Sequence, residues 1–286
     1  MSKLLIIGGG WLGSPLANQL VRSNQFKNSQ VHVVRRSVRE ETLPPSVILH
    51  HLDLNQDSGR QSLAELMTTH GFDLVIGCFP PGFRHGKGEH YLSHWQCIAE
   101  LCHQTQVKQV IQISSTSVYP DQSAIMKEED ASLALAKNNP LFGDKAIAML
   151  DAEATLSHRG FKSTILRCSG LIGPSRHPAR FAARLKSVST QASANMVHQS
   201  DVIRAIEFCL THQCEGIYNL SCPTSVSKAE FYRVAIETAK LSAPLPPQSP
   251  SPGKTINGDL ITKQGFQYQY PHSLDAIKAI EFTSSE

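Results

Sequence analysis

Short apolar runs alternate with amphipathic segments along most of the chain. The runs are four to eight residues long and rich in β-branched residues, which is typical of strands buried on both faces of a parallel sheet. This repetition of strand, helix and strand predicts an α/β fold built on a doubly wound parallel sheet. We interpret as strands the residues 4–7, 31–34, 47–52, 73–79, 107–114, 164–167 and 216–220, and as helices the residues 14–22, 61–69, 89–103, 143–158, 201–210 and 227–241.

The composition excludes several classes of protein. The 286 residues are 41% hydrophobic and carry a formal net charge of +3, too mild for the strongly basic face typical of nucleic-acid binding. No apolar run approaches the roughly 20 residues of a membrane helix. The seven cysteines are scattered without a CxxC pair, which favours a reduced, cytoplasmic protein. His90 and His94 lie one helical turn apart near Cys97, but no third ligand is evident, so we predict no metal site.

A glycine-rich loop, GGGWLG at positions 8–13, follows the first predicted strand and precedes a helix. In that context the GxGxxG pattern predicts binding of a dinucleotide. Gly8 permits the tight turn, Gly10 leaves room for the pyrophosphate, and Gly13 lets the helix pack closely on the strand. The helix N-terminus, with the N–H groups of Trp11 and Leu12, would bind the phosphates. The predicted sheet is therefore of the Rossmann type.

Two arginines stand at the end of the second predicted strand, where NAD-specific sites place an acidic residue. Arg35 and Arg36 suit a 2′-phosphate, because guanidinium groups bind phosphate through paired hydrogen bonds. The sequence therefore favours NADP(H) over NAD(H). The alternative is that both arginines are solvated surface charges.

The next two predicted strands end in further candidate cofactor contacts, because ligands bind at the carboxyl ends of parallel strands. Asp53 and Leu54 follow the third strand, and Asp53 has the chemistry to accept a hydrogen bond from the adenine amino group. It is equally suited to a turn or a helix cap. Phe79 and Pro80 close the fourth strand and would flank the nicotinamide.

The stretch SSTSVY at 114–119 resembles the extended short-chain dehydrogenase/reductases, the NAD(P)-dependent epimerases and dehydratases. Further stretches, GPSRHPARF at 173–181 and GFQYQYP at 265–271 among them, resemble a group of bacterial epimerase-like proteins with atypical sites. The resemblance implies that Ser115 is the catalytic hydroxyl and that Ser114 lies at the cofactor. It also implies a homodimer formed through the helices near 89–104 and 143–158.

The resembled family also uses a YxxxK pair, in which the tyrosine transfers a proton and the lysine binds the ribose. Lys145 fits the lysine, but Leu141 stands where the tyrosine belongs. A shift by one residue brings Phe142, which has no hydroxyl. Tyr119 is a substitute proton carrier or, alternatively, a packing residue of its loop. His177 is a second substitute, because an imidazole titrates near neutral pH.

Four basic or titratable residues follow the sixth predicted strand, where the resembled family lines its substrate pocket. Such a set suits a carboxylate, a phosphate or the diphosphate of a nucleotide sugar. The alternative for each residue is a surface charge or a helix cap. The four candidates are Arg176, His177, Arg180 and His198.

These observations predict an NADP(H)-linked oxidoreductase or epimerase/dehydratase-like enzyme acting on a small polar or anionic molecule. The alternative is a non-catalytic NADP(H)-binding or redox-sensing protein, because the catalytic tyrosine is missing. We assign residues 1–168 to the NAD(P)-binding Rossmann domain. Residues 169–286 are assigned to a smaller substrate-binding lobe, whose segments can interleave with the sheet.

Overall fold

The computed structural model of the protein describes residues 2–37, 43–83 and 88–283. Seven parallel strands form its central sheet, in the order β11-β7-β5-β4-β1-β2-β3. Three pairs of short strands, β10 with β8, β12 with β9 and β13 with β6, lie outside it. The strands are β1 (Lys3–Ile7), β2 (Gln30–Arg35), β3 (Val47–His51), β4 (Leu74–Gly77), β5 (Gln109–Ser115), β6 (Ile125–Met126), β7 (Lys162–Cys168), β8 (Gly170–Ile172), β9 (Val188–Ser189), β10 (Met196–His198), β11 (Gly216–Leu220), β12 (Gln248–Ser249) and β13 (Thr255–Ile256).

Helices connect the strands of the sheet and cover both of its faces. The longer ones occupy the segments where the sequence predicts helices, and their observed ends differ from the predicted ones by up to four residues. The α-helices of the described residues are α1 (Gly13–Arg22), α2 (Asp57–His70), α3 (Glu89–Gln104), α4 (Leu133–Lys137), α5 (Asp144–Ala154), α6 (Ala179–Ala182), α7 (Gln199–Thr211), α8 (Lys228–Thr238), α9 (Asp259–Lys263) and α10 (Ser273–Lys278).

Strand β1 lies at the centre of the sheet and contributes to the core on both of its faces. Leu5 and Ile7 pack into the apolar core that α2, α3 and α5 cover. Leu4 and Ile6 pack into the opposite core, which α1 and α7 cover. This alternation follows from the two-residue period of a strand. A continuous apolar run therefore forms a central strand, and the predicted α/β fold is confirmed.

The strand order reverses beside β1, since the chain runs outward to β3 and then returns to β4 on the other side. In open α/β sheets the crevice at such a reversal, beyond the carboxyl ends of the strands, is where ligands bind. The glycine loop leaves β1 at this point. The topology thus places the loop at the edge where a ligand site is expected.

A third, smaller apolar core lies in the part of the chain that the sequence assigns to a substrate lobe. It includes Ile172, Phe231 and Ile277 and is covered by α8 and α10. Strand β11 comes from the same part of the chain but pairs with β7 in the main sheet. The two assigned segments are therefore interleaved in space. Within the described residues no helix is both long and apolar enough to cross a bilayer.

Candidate active site

The glycines of the loop after β1 meet three different steric demands. Gly8 has φ +109°, and a Cβ there would lie 2.8 Å from the carbonyl carbon of Cys78. A Cβ on Gly13 would lie 2.2 Å from the carbonyl oxygen of Gly8. A Cβ on Gly10 would meet no described heavy atom within 4 Å. Gly8 and Gly13 are thus required for packing, whereas Gly10 borders open space of the kind a phosphate group needs.

The start of α1 presents donors to that open space. The N–H groups of Trp11, Leu12 and Gly13 make no backbone hydrogen bond within the described residues. The first turn of α1 contains no acidic residue. The side chain of Leu12 is buried in the core, so only its backbone is available to a ligand. Free N–H groups and the positive end of the helix dipole together favour an anion here.

Arg35 and Arg36 occupy different environments at the end of β2. Arg35 is buried, and its Cβ would lie 3.3 Å from a Cβ placed on Gly9. Its side chain therefore runs beside the glycine loop. Arg36 is exposed. The structure thus brings Arg35 to the loop and leaves Arg36 at the surface.

The residues after β3 are engaged in local structure. One carboxylate oxygen of Asp53 accepts hydrogen bonds from the backbone N–H and the side-chain amide of Asn55, at 3.1 and 2.6 Å. The carbonyl oxygen of Leu54 accepts from Arg60 at 2.7 Å, and the Leu54 side chain is buried. Asp53 therefore shapes the turn into α2.

Phe79 and Pro80 follow β4, and the backbone of Phe79 lies against the glycine loop. The Phe79 ring stacks on Trp95 at 5.1 Å between centroids and meets Tyr91 edge-on at 5.7 Å. Its backbone N–H lies against Gly8. Pro80 is exposed. The ring of Phe79 thus packs on α3, and its backbone supports the loop.

The two serines that end β5 have different partners. The hydroxyl of Ser114 is buried and donates to Glu153 at 2.5 Å. The hydroxyl oxygen of Ser115 accepts from the N–H of Ser117 at 3.2 Å. Within the described residues the Ser115 hydroxyl donates to no acceptor, so its proton is available to a ligand. Ser115 is half-buried.

The segment that resembles YxxxK lies at the start of α5. Leu141 is 47% exposed, although a leucine is usually buried in a core. Phe142 is buried, and Lys145 is exposed in the first turn of the helix. Position 141 thus offers an apolar surface, and neither it nor position 142 carries a hydroxyl.

Tyr119 lies in a buried polar cluster. Its hydroxyl donates to the side-chain oxygen of Asn219 at 2.7 Å and accepts from Arg167 at 3.1 Å. Burial raises the pKa of Tyr119 to about 12. The phenol is therefore held neutral and hydrogen-bonded within the protein.

The centre of this cluster is an ion pair between Arg167 on β7 and Glu153 on α5. Both residues are buried, and their closest nitrogen–oxygen distance is 2.7 Å. Arg167 also donates to the backbone carbonyls of Glu128 and Ala131, both at 2.9 Å. Sequence reasoning did not single out this pair. The sequence does contain one indication of it, because Arg167 is a charged residue in an apolar strand run. Buried charged residues are rare unless they are paired.

All four predicted anion contacts interact with other residues of the protein. His177 is buried and accepts from the N–H of Ala179 at 3.2 Å, the first residue of α6. Burial, together with Arg180, lowers the pKa of His177. Arg180 donates to the backbone carbonyl of Thr283. His198 accepts from the N–H of Ser200 at 3.2 Å and caps α7.

Arg176 is the exposed member of this set. Its guanidinium carbon lies 4.0 Å from the centroid of the Trp11 ring. Arg176 is thus brought to the glycine loop, whereas His177 and Arg180 are directed to α6 and the C-terminal segment.

Replacing His198 with asparagine is expected to make stability less sensitive to acid. Burial lowers the pKa of His198 to about 4, whereas an unfolded histidine titrates near 6.5. The unfolded state therefore binds this proton more readily, and folding stability falls as the pH drops from about 6.5 towards 4. Asparagine still caps a helix but takes up no proton.

Urea denaturation at pH 7 and pH 4.5 measures this effect. His198→Asn is expected to remove about 2 kcal/mol of the loss that the wild-type protein shows between the two pH values. Burial also lowers the pKa of His32 to about 4. His32 is present in both proteins, so its contribution to the pH dependence of stability is the same in each. An unchanged pH dependence in the variant would contradict the lowered pKa of His198.

The sheet, its reversal point and the glycine loop define a Rossmann-type fold of the dinucleotide-binding kind. The chain belongs to the NAD dependent epimerase/dehydratase family, whose model matches residues 4–221. The resemblance noted in the sequence is thereby confirmed. Protein YeeZ of Escherichia coli strain K12 is 31% identical over 291 residues, covering 96% of this chain and 98% of YeeZ.

Solved structures of similar fold support the architecture. The enzyme WbmH of Bordetella bronchiseptica, solved in complex with NAD+, has a TM-score of 0.78 at 18% identity, covering 98% of this chain and 97% of WbmH. The UDP-glucose 4-epimerase of Thermus thermophilus, solved with NAD, has a TM-score of 0.74 at 18% identity, covering 97% of this chain and 99% of the epimerase. At these identities the similarity shows a shared fold.

Proposed function

We propose that the chain binds NADP(H) and uses it in oxidoreductase or epimerase/dehydratase-like chemistry on a small polar or anionic substrate. The observation that carries this proposal is the glycine loop, in which Gly10 borders open space while Gly8 and Gly13 leave no room for a side chain. Family membership supports the same cofactor class. WbmH and the Thermus epimerase, both solved with NAD, add support.

The residues present fit such a cofactor. The N–H groups of Trp11 and Leu12 would hold the pyrophosphate, and Arg35, with Arg36 at the surface, would hold the 2′-phosphate of NADP(H). A bound nicotinamide supplies hydride transfer at a substrate carbon. The remaining predicted cofactor contacts are Asp53, Leu54, Phe79, Pro80, Ser114 and Lys145.

Ser115 is assigned to the reacting oxygen of the substrate, because its hydroxyl proton has no acceptor among the described residues. Lys145, exposed at the start of α5, would bind the ribose. Tyr119 receives no proton-transfer role here, since its hydroxyl already has two partners and its pKa is raised to about 12. His177 receives none either, because one ring nitrogen is engaged at α6.

Nucleotide sugars are the first substrates to test. The Thermus relative is a UDP-glucose 4-epimerase, and a structural neighbour from Bacillus cereus is a UDP-glucuronic acid 4-epimerase with a TM-score of 0.74 at 15% identity. Consumption of NADPH, or interconversion of epimers, by the purified chain would establish an enzyme.

Replacing Arg35 with glutamine is expected to raise the Kd for NADPH by about 10- to 100-fold. The Kd for NADH should change less than about threefold, because NADH lacks the 2′-phosphate that Arg35 would bind. Calorimetric titration of both cofactors into wild-type and variant protein measures the difference.

Arg36→Gln is the matched comparison, because it removes the same charge from an exposed neighbour. We expect it to weaken NADPH binding by a smaller factor than Arg35→Gln. Equal losses of NADPH and NADH affinity in Arg35→Gln would contradict the assignment to the 2′-phosphate. Thermal unfolding of each variant reports separately on the fold.

One observation favours the second candidate, a non-catalytic NADP(H)-binding or redox-sensing protein. Leu141, 47% exposed, stands at the position where the resembled family has its proton-transferring tyrosine. A partner protein that binds differently to the NADPH and NADP+ forms would support this candidate. Substrate turnover would exclude it.

A homodimer through α3 and α5 and a cytoplasmic location stay predictions.

A further inference from the structure

Two cysteines lie side by side where α7 ends. Cys209 belongs to the last turn of α7, and Gln213, which follows the helix, has φ +49°. This left-handed residue turns the chain back, so that the N–H of Cys214 donates to the carbonyl oxygen of Cys209 at 3.0 Å. The same backbone bond closes helices that end in a Schellman motif. It brings together two residues that are five positions apart in the sequence.

The turn that carries the two cysteines is held by two neighbouring strands. The side-chain amide of Gln109, on β5, donates to the carbonyl oxygens of both cysteines at 3.1 Å. The hydroxyl of Thr164, on β7, donates to the carbonyl oxygen of Cys214 at 2.5 Å. Gln109 and Thr164 are both buried. The backbone of the turn is therefore fixed by contacts that do not involve either sulfur.

The side chains of the pair also meet. Both cysteines carry free thiols; Cys209 is fully buried and Cys214 is 8% exposed. A hydrogen bond between the two thiols lowers the pKa of Cys214 to about 7 and raises the pKa of Cys209. With standard bond lengths, the backbone bond between them keeps their Cα atoms within about 7 Å of each other. That separation is the limit for a disulfide without movement of the backbone.

We propose that Cys209 and Cys214 form a modification site, at which a hydroperoxide oxidises the two thiols to one disulfide. The attacking group is the thiolate of Cys214, because Cys214 is the more exposed of the two and the thiolate is the nucleophile. Its sulfur bonds to one oxygen of hydrogen peroxide, the oxygen–oxygen bond breaks, and the departing hydroxide takes up a proton to leave as water. Cys214 is then a sulfenic acid.

The second step closes the disulfide. The sulfur of Cys209 attacks the sulfur of Cys214, the sulfur–sulfur bond forms, and the sulfur–oxygen bond of the sulfenic acid breaks. The departing hydroxide takes the proton of the Cys209 thiol and leaves as water. Each thiol gives up one electron, and the peroxide takes up both.

The pair is separate from the candidate cofactor crevice. Cys214 precedes β11, which begins at Gly216 and pairs in parallel with β7, so the pair lies at the amino ends of these strands. The glycine loop follows the carboxyl end of β1. The inference therefore does not depend on the proposed function. A disulfide that forms and is reduced again suits the reduced compartment that the sequence favours, where protein disulfides are usually transient.

Cys97 and Cys102 provide a matched control within the same chain, because they have the same spacing of five positions. Both lie inside α3, where five residues rise about 7.5 Å along the helix axis. That rise alone exceeds the limit for a disulfide. Cys97 is more exposed than Cys214, so preferential oxidation of the pair at 209 and 214 would not reflect easier access of the peroxide.

Oxidation of the purified wild-type protein with stoichiometric hydrogen peroxide tests the proposal. The remaining thiols are alkylated under denaturing conditions, and a protease that cleaves after glutamate releases residues 208–215, which contain both cysteines of the pair. This peptide is expected to lose two hydrogen atoms and to escape alkylation, at least about 10-fold faster than Cys97 is oxidised. Dithiothreitol should restore both thiols. Alkylation of both cysteines in this peptide, or equal oxidation of Cys97, would overturn the proposal.

Two alanine variants assign the roles of the two sulfurs. In Cys209→Ala, Cys214 is expected to stop at the sulfenic acid, which dimedone labels. In Cys214→Ala, oxidation of Cys209 is expected to be at least about 10-fold slower than in the wild type. Oxidation of Cys209 at the wild-type rate in that variant would overturn the assignment of Cys214 as the attacking group.

The outcomes are independent of variant folding and of cofactor binding. The peptide measurement uses the wild-type protein, so it decides whether the disulfide forms even where a variant does not fold. Titration of the reduced protein with NADPH reports on the proposed function alone. Either proposal can therefore fail while the other stands.

Discussion

Replacing Glu153 with glutamine is expected to lower the free energy of unfolding by about 3 to 5 kcal/mol. Glutamine keeps the shape of the side chain but removes the negative charge opposite Arg167. Both partners of this pair are buried, at 4% and 1% side-chain exposure. The remaining guanidinium charge would then lie in an apolar environment without compensation, and that desolvation is the source of the loss.

Urea denaturation followed by circular dichroism measures this loss. Glu100→Gln is the matched control, because Glu100 pairs with Arg159 at 2.9 Å with side chains 49% and 34% exposed. Exposed pairs are worth about 1 kcal/mol or less. Comparable losses in the two variants would contradict the view that the Arg167 charge depends on Glu153.

The double variant Glu153→Leu/Arg167→Met gives an independent test of the same pair. Removing both charges avoids leaving one of them buried alone, so the loss is expected to be smaller than the sum of the two single losses. Some loss should persist, because Arg167 also donates to Tyr119 and to two backbone carbonyls.

The central sheet could be predicted from the sequence because its signal is local. A run such as Leu4–Ile7 buries consecutive side chains on opposite faces, as a central strand of a layered fold does. The sequence signal of the glycine loop is local in the same sense. The three glycines of the pattern, Gly8, Gly10 and Gly13, lie within six positions, and their spacing reflects steric demands within one turn.

The polar cluster around Arg167 could not be predicted, because its partners are distant in the sequence. Tyr119 and Asn219 are 100 positions apart, yet their side chains lie at hydrogen-bond distance. The resemblance directed attention to Tyr119 as a substitute proton carrier. Which of its two suggested roles a tyrosine hydroxyl takes depends on partners that only the folded chain brings together.

The histidines near the predicted pocket illustrate a different difficulty. The sequence pattern predicted that this helix begins at Asp201, directly after Ser200. In the structure His198 caps α7 instead, and its ring accepts from the N–H of Ser200. A histidine that caps a helix and one that binds an anion look alike in a sequence, because both stand just before an apolar stripe.

Replacing Gly10 with valine is expected to weaken NADPH binding at least about 100-fold, which corresponds to about 2.7 kcal/mol. The new side chain would fill the open space beside the loop, where the pyrophosphate must approach the backbone. Since nothing described lies within 4 Å of its Cβ, the free energy of unfolding should change by less than about 1 kcal/mol.

Gly13→Val is the matched comparison, because the same substitution three residues later meets the carbonyl oxygen of Gly8 at 2.2 Å. That variant is expected to lose at least about 3 kcal/mol of stability, since packed backbone has little room to move. The two variants therefore distinguish a glycine that leaves room for the ligand from a glycine that leaves room for the packed backbone. A Gly10→Val protein that binds NADPH as tightly as the wild type would show that the space beside Gly10 is not where the phosphates lie.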